Sequence, residues 1–581
     1  MRLVLALALG LLAGRVSAAC TIKQLAELPV TMQGTRPLIE AGINGAPTMF
    51  LADSGAFYSI MSPGAAAEHH LRLEPAPFGL RVEGVGGSAA LSVAVVKDFT
   101  LAGAPVPRAE FLVGGSETGG LAQGVIGRNI LNLADVEYDL SGGAIRLVRP
   151  DRCENAMLAY WVKPQVSYGS VAMEEGAPTR FSPPVLGAAS VNGARIRVMF
   201  DTGAASSLMT LSAARRLGIG PDAPGVVPAG MSGGFGPRMI RTWIAPVDVF
   251  EIGGERIEHT HLRLGDTQLQ DADMLLGADF FLSHRVYVAN GQRRIYFTYN
   301  GGAVFNLTTG GAAAEPPESA SAEAAPTDAA GFARRGAAEA ARRDFPAATA
   351  DLGKAMELDA KDPDYPYERG VARLQAGQPV QAMADFDRTL ALAPTDTQAL
   401  IARADLRLNA RDGEAAIGDL DVANGVLAPE ANERLVLANL YRRAERPKLA
   451  LAQYDLWIKA HPDDRSQAEA LGGRCWVRMT LNADLDKAVA DCQHALRLLP
   501  SDWGLLTDRA FVRLRQGDFD RAIVDFDEVL KLKTQYAWPY YGRGLAKLKK
   551  GLVDEGNADI AAAAAIDPSI AKAAGRYGLA P

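Results

Sequence analysis

Two aspartates begin matching four-residue segments, and each segment directly follows an apolar run. The segments are Asp53-Ser54-Gly55-Ala56 and Asp201-Thr202-Gly203-Ala204. Two carboxyl groups held together cannot both ionise cheaply, so they share one proton. The ionised group can then act as a base toward a water molecule while the protonated group acts as an acid. Asp53 and Asp201 are therefore the candidate catalytic pair for a hydrolysis that uses neither a metal nor a covalent nucleophile.

The residues beside each aspartate suit the support of such a pair. The hydroxyls of Ser54 and Thr202 can hydrogen-bond across a junction between two lobes and fix the two loops. Gly55 and Gly203 permit a close approach of backbone that a side chain would block.

Each aspartate also belongs to a longer repeated unit. An Asn-Gly pair, a strong hairpin signal, lies nine residues before each aspartate, at Asn44 and Asn192. An apolar-apolar-Gly triplet ends 74 and 76 residues after the aspartates. The two triplets are Val125-Ile126-Gly127 and Leu275-Leu276-Gly277. Short apolar stretches broken by Gly, Pro and Asn surround these landmarks, so the pattern predicts a duplicated all-β domain, lobe 1 over 20–158 and lobe 2 over 159–302.

Two glycine-rich stretches follow the aspartates at similar distances. They are Gly84-Val85-Gly86-Gly87 and Gly230-Met231-Ser232-Gly233-Gly234. Neither contains the Gly-x-x-x-x-Gly-Lys pattern of a phosphate-binding loop. Either stretch taken alone is also compatible with an ordinary surface turn.

Together these features resemble the retropepsin-like aspartyl proteases, specifically the bacterial group related to the retroviral enzymes, over about residues 30–300. The resemblance implies a bilobal all-β fold, catalysis by Asp53 and Asp201, and no cofactor. It assigns the glycine-rich stretches to flaps over an extended peptide and the apolar-apolar-Gly triplets to strands beneath the aspartate loops. Ala56 and Ala204 stand where pepsin-like enzymes often carry Ser, which predicts activity closer to neutral pH. Phe57 and Tyr58 depart from the small polar residues common at these places, so a degenerate lobe 1 is an alternative.

The C-terminal part changes to a helical pattern with a period of 34 residues. Small residues twelve apart recur in successive units, for example Gly370 with Ala382 and Ala510 with Ala522, and an apolar residue follows four positions later. This pattern resembles tetratricopeptide repeats, about seven of them over 331–568 within a domain 331–581. The alternative is an unrelated array of helical hairpins. Residues 303–330, rich in Ala, Pro, Glu and Ser, are predicted to be a disordered linker.

The N-terminus has the order of a secretory signal peptide over residues 1–19: Arg2, an apolar run from Leu3 to Leu12, then small residues. Ser17 stands where a lipoprotein signal would carry Leu, so lipid attachment at Cys20 is less favoured than plain cleavage. The expected location is periplasmic or secreted. Export permits disulfides, and Cys20 with Cys153 and Cys475 with Cys492 are the favoured pairs, with free thiols as the alternative.

Net charge and the spacing of histidines and cysteines argue against two kinds of ligand, nucleic acid and metal ions. The formal net charge of the 581 residues is −7 and no Lys/Arg cluster stands out, which argues against nucleic acid as a partner. The seven histidines and four cysteines form no metal-site spacing, so no metal is predicted.

The sequence therefore predicts an exported aspartic endopeptidase with a polypeptide substrate in its cleft and a protein or peptide partner on the repeats. One active site per chain is expected, because the tether between the lobes keeps them at high effective concentration. Pairing of lobes between molecules is the alternative arrangement. A different class of function, an inactive envelope scaffold acting through the repeats, also remains open.

Overall fold

A computed structural model describes residues 20–76, 82–85, 87–89, 91–114, 122–154, 156–163, 166–176, 184–234, 239–305, 326–462, 464 and 466–580. These residues form two β-rich lobes followed by an all-helical region, which confirms the predicted fold class. The predicted signal peptide and most of the predicted linker lie outside the described residues. No helix in the described ranges is long and apolar enough to cross a membrane.

Lobe 1 is built mainly of short strands. Its elements are β1 (Thr21–Gln33), β2 (Arg36–Ile43), β3 (Ala46–Ala52), β4 (Ile60–Met61), α1 (Pro63–Glu68), β5 (Leu73–Pro75), β6 (Val82–Gly84), β7 (Gly87–Ala89), β8 (Ser92–Val96), β9 (Phe99–Leu101), β10 (Ala104–Pro105), β11 (Ala109–Val113), β12 (Gly124–Ile126), α2 (Arg128–Leu131), β13 (Asp135–Asp139) and β14 (Ala144–Asp151).

Lobe 2 repeats the central part of this order. Its elements are β15 (Gly169–Ala172), β16 (Leu186–Val191), β17 (Ala194–Phe200), β18 (Leu208–Thr210), α3 (Leu211–Arg216), β19 (Val227–Ser232), β20 (Ile240–Ile252), β21 (Glu255–Gly265), β22 (Met274–Leu276), α4 (Ala278–Ser283), β23 (His284–Ala289) and β24 (Arg294–Tyr299).

The Asn-Gly pairs form the tight turns of equivalent hairpins, β2–β3 in lobe 1 and β16–β17 in lobe 2. Asn44 and Gly45 have φ values of 52° and 81°, and Asn192 and Gly193 have 50° and 80°. Both central residues of each turn therefore adopt positive φ, which matches the right-handed twist of the flanking strands. These hairpins lead the chain directly into the two aspartate loops.

The two lobes share one sheet. Its strands follow the order β15-β24-β23-β13-β14-β1, in which β13 of lobe 1 pairs antiparallel with β23 of lobe 2. Buried ion pairs reinforce this contact: Arg285 on β23 lies 2.7 Å from Glu137 on β13. The pairing joins the lobes of one chain along a continuous hydrogen-bonded edge.

The end of lobe 2 differs from the predicted boundary. Phe305 is 3% exposed and packs edge-to-face on Phe250, with 5.0 Å between the ring centroids. Residues 303–305 therefore belong to lobe 2 and not to the linker. The first helix of the C-terminal region begins at Ala329, where the side chain of Asp328 caps it by accepting from the Gly331 amide. The predicted linker of 303–330 therefore overlaps lobe 2 at its beginning and this helix at its end.

The described helices of the C-terminal region form seven antiparallel hairpins and a short final helix. They are α5 (Ala329–Ala341), α6 (Phe345–Leu358), α7 (Asp364–Gln375), α8 (Pro379–Leu392), α9 (Thr397–Asn409), α10 (Gly413–Val426), α11 (Arg434–Arg443), α12 (Pro447–Ala460), α13 (Gln467–Leu481), α14 (Leu485–Leu498), α15 (Trp503–Gln516), α16 (Phe519–Leu532), α17 (Ala537–Lys549), α18 (Val553–Ile566) and α19 (Ile570–Gly575). The repeated small residues let the helices of a hairpin approach closely. A Cβ at Gly370 would lie 2.7 Å from Cε1 of Phe386, so a side chain there would displace the Phe386 ring.

A ladder of ion pairs, which the sequence analysis missed, joins the two helices of six hairpins. The pairs are Arg335–Asp351, Arg369–Asp385, Arg403–Asp419, Arg474–Asp491, Arg509–Asp525 and Arg543–Asp559. In the α11–α12 hairpin Leu437 and Gln453 occupy these places, and Gln453 instead accepts from Arg434. Bidentate arginine–carboxylate contacts have strict geometry, so the ladder fixes the register of these six hairpins.

The four cysteines form two disulfides in the structure. Cys20 bonds to Cys153, joining the beginning of β1 to the chain that follows β14. Cys475 bonds to Cys492 and joins α13 to α14. These are the pairs that the sequence favoured, and the second one lies inside a single hairpin.

Candidate active site

Equivalent strands place the two candidate aspartates. Asp53 follows β3, and its backbone N–H donates to the Ile126 carbonyl at 3.0 Å; Asp201 follows β17 and donates in the same way to Leu276 at 2.9 Å. The apolar-apolar-Gly triplets form β12 and β22, which pair parallel with β3 and β17 and antiparallel with β4 and β18. Each aspartate thus begins a loop held between strands of its own lobe.

Four hydrogen bonds lock the two loops together across the lobe junction. The Ser54 N–H donates to Thr202 Oγ1 and the Thr202 N–H donates to Ser54 Oγ, both at 2.9 Å. Thr202 Oγ1 donates onward to the Ala52 carbonyl at 2.8 Å, and Ser54 Oγ donates to the Phe200 carbonyl at 2.9 Å. Both side chains are buried. This reciprocal arrangement, called the loop clasp below, sets the two aspartates opposite each other.

The carboxyl groups of Asp53 and Asp201 lie at the junction of the two loops, each against the glycine of the opposite loop, and each perturbs the pKa of the other. Backbone amides hold the far side of each group: Asp53 Oδ1 accepts from Gly55 at 2.7 Å, and Asp201 Oδ1 accepts from Gly203 at 2.9 Å. The amides of Ala56 and Ala204 donate to the same two oxygens. Both aspartates remain partly accessible to solvent, so a substrate can reach them.

Glycine is required on both sides of the carboxyl pair. A Cβ at Gly55 would lie 2.4 Å from Cγ of Asp201, and a Cβ at Gly203 would lie 2.2 Å from Cγ of Asp53. Each glycine of one lobe therefore makes room for the aspartate of the other lobe.

Burial raises the pKa of both aspartates, because the ionised form loses solvation. The pKa of Asp201 lies well above its ordinary value, since the charge of Asp53 adds to the effect of burial. Several contacts oppose the rise at Asp53: the hydrogen bond from Asp201, the two backbone amides and the positive charge of Arg128. The environment thus favours a shared proton on Asp201 and an ionised Asp53.

Arg128 makes the two sides of the site unequal. It is 2% exposed, follows Gly127 directly, and its backbone N–H donates to the Ala56 carbonyl at 2.9 Å. Burial lowers the pKa of its guanidinium to about 10, opposed first by the charge of Asp53. Ala278 occupies the equivalent position in lobe 2 and carries no charge. Arg128 lies outside the motifs recognised in the sequence; its position directly after the apolar-apolar-Gly triplet was the available signal.

A further pair of polar contacts supports each aspartate loop from behind. In lobe 1 Asn129 Oδ1 accepts from the Ser59 amide and hydroxyl, and the Ser59 hydroxyl accepts from the Gly127 amide. In lobe 2 Asp279 and Ser207 make the same contacts. Burial raises the pKa of Asp279. These four side chains were not predicted from the sequence, although each lies within three residues of a predicted segment.

The bulky residues after the first aspartate segment are accommodated without disturbing Asp53. Phe57 and Tyr58 pack beside the buried cluster that contains Val125. The Tyr58 hydroxyl donates to Glu110 at 2.7 Å, on the outer side of lobe 1. The departure from the expected pattern therefore leaves the loop geometry of the two lobes equivalent.

The two glycine-rich segments meet across the lobes. In lobe 1, β6 and β7 form a hairpin in which Gly84 pairs with Gly87 and Val85 lies in the turn; Gly86 is outside the described residues. A Cβ at Gly234 would lie 2.8 Å from the Cβ of Val85, and Thr267 Oγ1 donates to the Val85 carbonyl at 3.3 Å.

In lobe 2 the glycine-rich segment continues from β19, which pairs with β20. Met231, near the end of β19, has a side chain that is 54% exposed, and Gly233 follows the strand. Residues 235–238 are outside the described residues. Each lobe therefore contributes one hairpin to the contact between Val85 and Gly234.

Comparison with known protein families gives a match in each lobe. A protein-family model described as "Aspartyl protease" matches twice, over residues 39–130 and 188–280. Each match contains one of the two candidate catalytic aspartates, with the apolar-apolar-Gly triplet and the glycine-rich segment of the same lobe. A search of curated proteins finds no match to this chain.

Several solved structures resemble the helical region. A tetratricopeptide repeat protein from Parabacteroides merdae is 18% identical, with 43% of this chain and 96% of that chain covered and a TM-score of 0.32. The Cut9–Hcn1 hetero-tetramer of the APC/C is 15% identical, with 43% and 48% covered and a TM-score of 0.32. YrrB, a TPR protein described as having an unusual peptide-binding site, is 16% identical, with 37% and 92% covered and a TM-score of 0.23.

Proposed function

We propose that the two β lobes, each of which matches the aspartyl protease family model, act together as one aspartic endopeptidase. The observation that carries the proposal is the placement of the Asp53 and Asp201 carboxyls, each against the glycine of the opposite loop, with both loops held by the loop clasp within one chain. Two carboxyls that share one proton supply an acid and a base at the same place. Such a pair suits the attack of water on a peptide carbonyl.

The unequal environments assign the two roles. Asp53, the ionised group, takes a proton from water while the water oxygen bonds to the carbonyl carbon. Asp201 gives its proton to the carbonyl oxygen, and a tetrahedral diol forms. Asp53 then protonates the leaving nitrogen as the C–N bond breaks. One diol hydroxyl returns its proton to Asp201, so the pair regains its starting state.

The glycine-rich segments serve as flaps in this proposal. Val85 and Gly234 meet across the lobes, where an extended peptide would pass between them and the carboxyl pair. Closing over the peptide excludes water other than the attacking molecule. The contact between the segments then has to open for a substrate to enter.

We further propose that the chain is exported and that its helical repeats recruit a polypeptide. The order of charged, apolar and small residues over 1–19 and the two paired disulfides support export. N-terminal sequencing of the protein recovered from the periplasm tests this point. A mature protein that begins at Met1 contradicts it.

Cleavage of casein tests the enzymatic proposal. We expect the purified protein to cleave casein, pepstatin to inhibit it, and Asp201→Asn to abolish cleavage. Asp98→Asn, which changes an exposed carboxylate of lobe 1, is the matched control and should retain activity. A folded wild-type protein that cleaves neither casein nor a set of unfolded polypeptides would instead support the inactive scaffold.

A further inference from the structure

A cavity of about 780 Å³ lies in the helical region, away from the carboxyl pair. It is lined mainly by the first helices of four successive hairpins, α11, α13, α15 and α17, together with Tyr577, which follows α19. A volume of several hundred cubic ångströms is the size of a specific ligand site. The cavity is therefore large enough to hold one long side chain and its neighbours.

Aromatic rings form one wall of this cavity. Trp476 and Trp538 lie 6.3 Å apart between centroids, Trp538 lies 5.7 Å from Phe511, and Trp476 lies 5.4 Å from Tyr577. All these contacts are edge-to-face. Phe511 is buried, whereas Trp476, Trp538 and Tyr577 keep part of their surface exposed. The exposed parts of these π-systems attract cations.

Three glycines also line the cavity. Gly472 and Gly473 lie on α13 and Gly504 on α15. A Cβ at Gly472 would lie 2.4 Å from the side chain of Leu505, and a Cβ at Gly473 would lie 2.3 Å from the Tyr454 hydroxyl. These positions therefore bring bare backbone to the cavity instead of side chains.

The charge of the lining is predominantly negative. Asp508 lies on α15, three residues before Phe511 and hence on the same helix face. Among the described residues Asp508 makes no hydrogen bond or ion pair, and burial raises its pKa to about 7, opposed by the charge of Arg442.

Two further carboxylates line the cavity but already have partners. Glu469 accepts from the Asn439 side chain at 2.7 Å, and Asp502 accepts from the Leu505 amide at 2.8 Å. Arg442, which is exposed, is the one cation in the described lining. Three carboxyl groups thus face one guanidinium, and Asp508 is the carboxyl that lacks a partner.

We infer that this cavity binds a Lys or Arg side chain of an extended polypeptide, with the cation between Asp508 and the aromatic wall. A cation satisfies the carboxylate, gains contact with the ring faces, and covers apolar surface with its methylene stem. The chain's own linker does not fit this description. Residues 308–330 contain Glu315, Glu318, Glu323 and Asp328 and no Lys or Arg. The inference rests on the recruiting role proposed for the repeats and is independent of catalysis.

Fluorescence anisotropy with a short labelled peptide tests the inference. The probe is fluorescein-labelled Ala-Leu-Lys-Leu-Ala-amide, compared with peptides that carry norleucine or Glu in place of Lys. The protein is the full chain with Asp201→Asn, so that cleavage cannot consume the probe. Casein cleavage by the wild-type protein is measured separately, which keeps a failure of binding distinct from a failure of the proposed proteolysis.

We expect the Lys peptide to bind at least about tenfold more tightly than the norleucine peptide, since hydrogen bonds to charged groups are worth that much. Asp508→Asn should remove most of this preference. Arg442→Gln should strengthen binding of the Lys peptide, because it removes a competing cation. Asp554→Asn, which removes an exposed charge from α18, is the matched control and should leave binding unchanged.

Several results would overturn the inference. They are equal binding of the Lys and norleucine peptides, tighter binding of the Glu peptide, unchanged affinity in folded Asp508→Asn, and no binding of the Lys peptide at millimolar concentration. A lower affinity in Arg442→Gln would also contradict it, because the arginine would then belong to an anion site.

Discussion

Replacing Thr202 by Val removes the centre of the loop clasp with almost no change of shape. Thr202 Oγ1 accepts from the buried Ser54 amide at 2.9 Å and donates to the Ala52 carbonyl at 2.8 Å. A buried donor left without a partner costs about 1–3 kcal/mol, and a lost neutral hydrogen bond about 1 kcal/mol. We therefore expect the substitution to destabilise the clasp by about 3 kcal/mol.

Hydrogen exchange in the full chain measures this effect locally. A loss of about 3 kcal/mol corresponds to roughly a hundredfold faster exchange, provided that the clasp opens as a unit. The signal is read from peptides covering residues 50–56 and 198–204. Casein cleavage should fall as well, because the carboxyls are no longer held together.

Thr389→Val is the matched control. Thr389 is fully buried, but its hydroxyl donates only to the Asp385 carbonyl within its own helix. Its loss leaves no backbone N–H without a partner, so exchange at the aspartate loops should stay unchanged. Exchange that rises less than threefold in Thr202→Val would refute the reasoning about the clasp.

Further predictions concern the carboxyl pair itself. Gly203→Ala should abolish cleavage, because the added Cβ would lie 2.2 Å from Asp53 Cγ. Gly291→Ala is the control and should remain active, because a Cβ there meets no atom within 4 Å. Comparable activity of both variants would contradict the close packing of Gly203 against Asp53. Arg128→Gln should move the acidic limb of the pH–rate profile to higher pH, because the positive charge of Arg128 holds the pKa of Asp53 down and its removal lets that pKa rise. A limb that does not move excludes this role of Arg128. In the wild-type protein, activity should persist toward neutral pH. The raised pKa of Asp201 lets it keep the proton that the reaction needs until the pH exceeds that pKa. A pH–rate profile confined to strongly acidic solution would refute this.

The sequence sufficed to predict the parts of the site that are local in the chain. The spacing between each Asn-Gly turn and its aspartate is a property of one hairpin, and the duplication made the two lobes recognisable from their offset. The helical repeats were equally visible, because small residues recur at each close contact between helices. The Arg–Asp pairs could have been recognised from the same repeat, because the Arg and the Asp lie 16 residues apart in most hairpins.

Other features depend on contacts between distant segments. The buried position of Arg128 beside Asp53 arises only when α2 packs behind the aspartate loop. The pairing of β13 with β23 depends on how the lobes meet, which no local pattern specifies. The predicted start of the linker at residue 303 differs from the structure because Phe305 packs on Phe250 of lobe 2. Amino-acid composition alone does not reveal the burial of one aromatic ring.

The aromatic cavity is the clearest case of this kind. Trp476, Phe511, Trp538 and Tyr577 are 101 residues apart from first to last. Each occupies an ordinary place in a helical pattern, and the solenoid brings them together. Asp508 likewise looks like any surface aspartate until the neighbouring helices enclose it.

The measurement that tests the central claim most directly is cleavage by Asp53→Asn, by Asp201→Asn and by their mixture. One site built from both lobes of one chain predicts that each variant is inactive and that the mixture is inactive too, since neither chain can lend an intact lobe. Activity in the mixture that rises with the square of the concentration would contradict this and show pairing between chains. Full activity of Asp53→Asn alone would contradict it differently, by making lobe 1 a degenerate copy and lobe 2 a homodimeric enzyme.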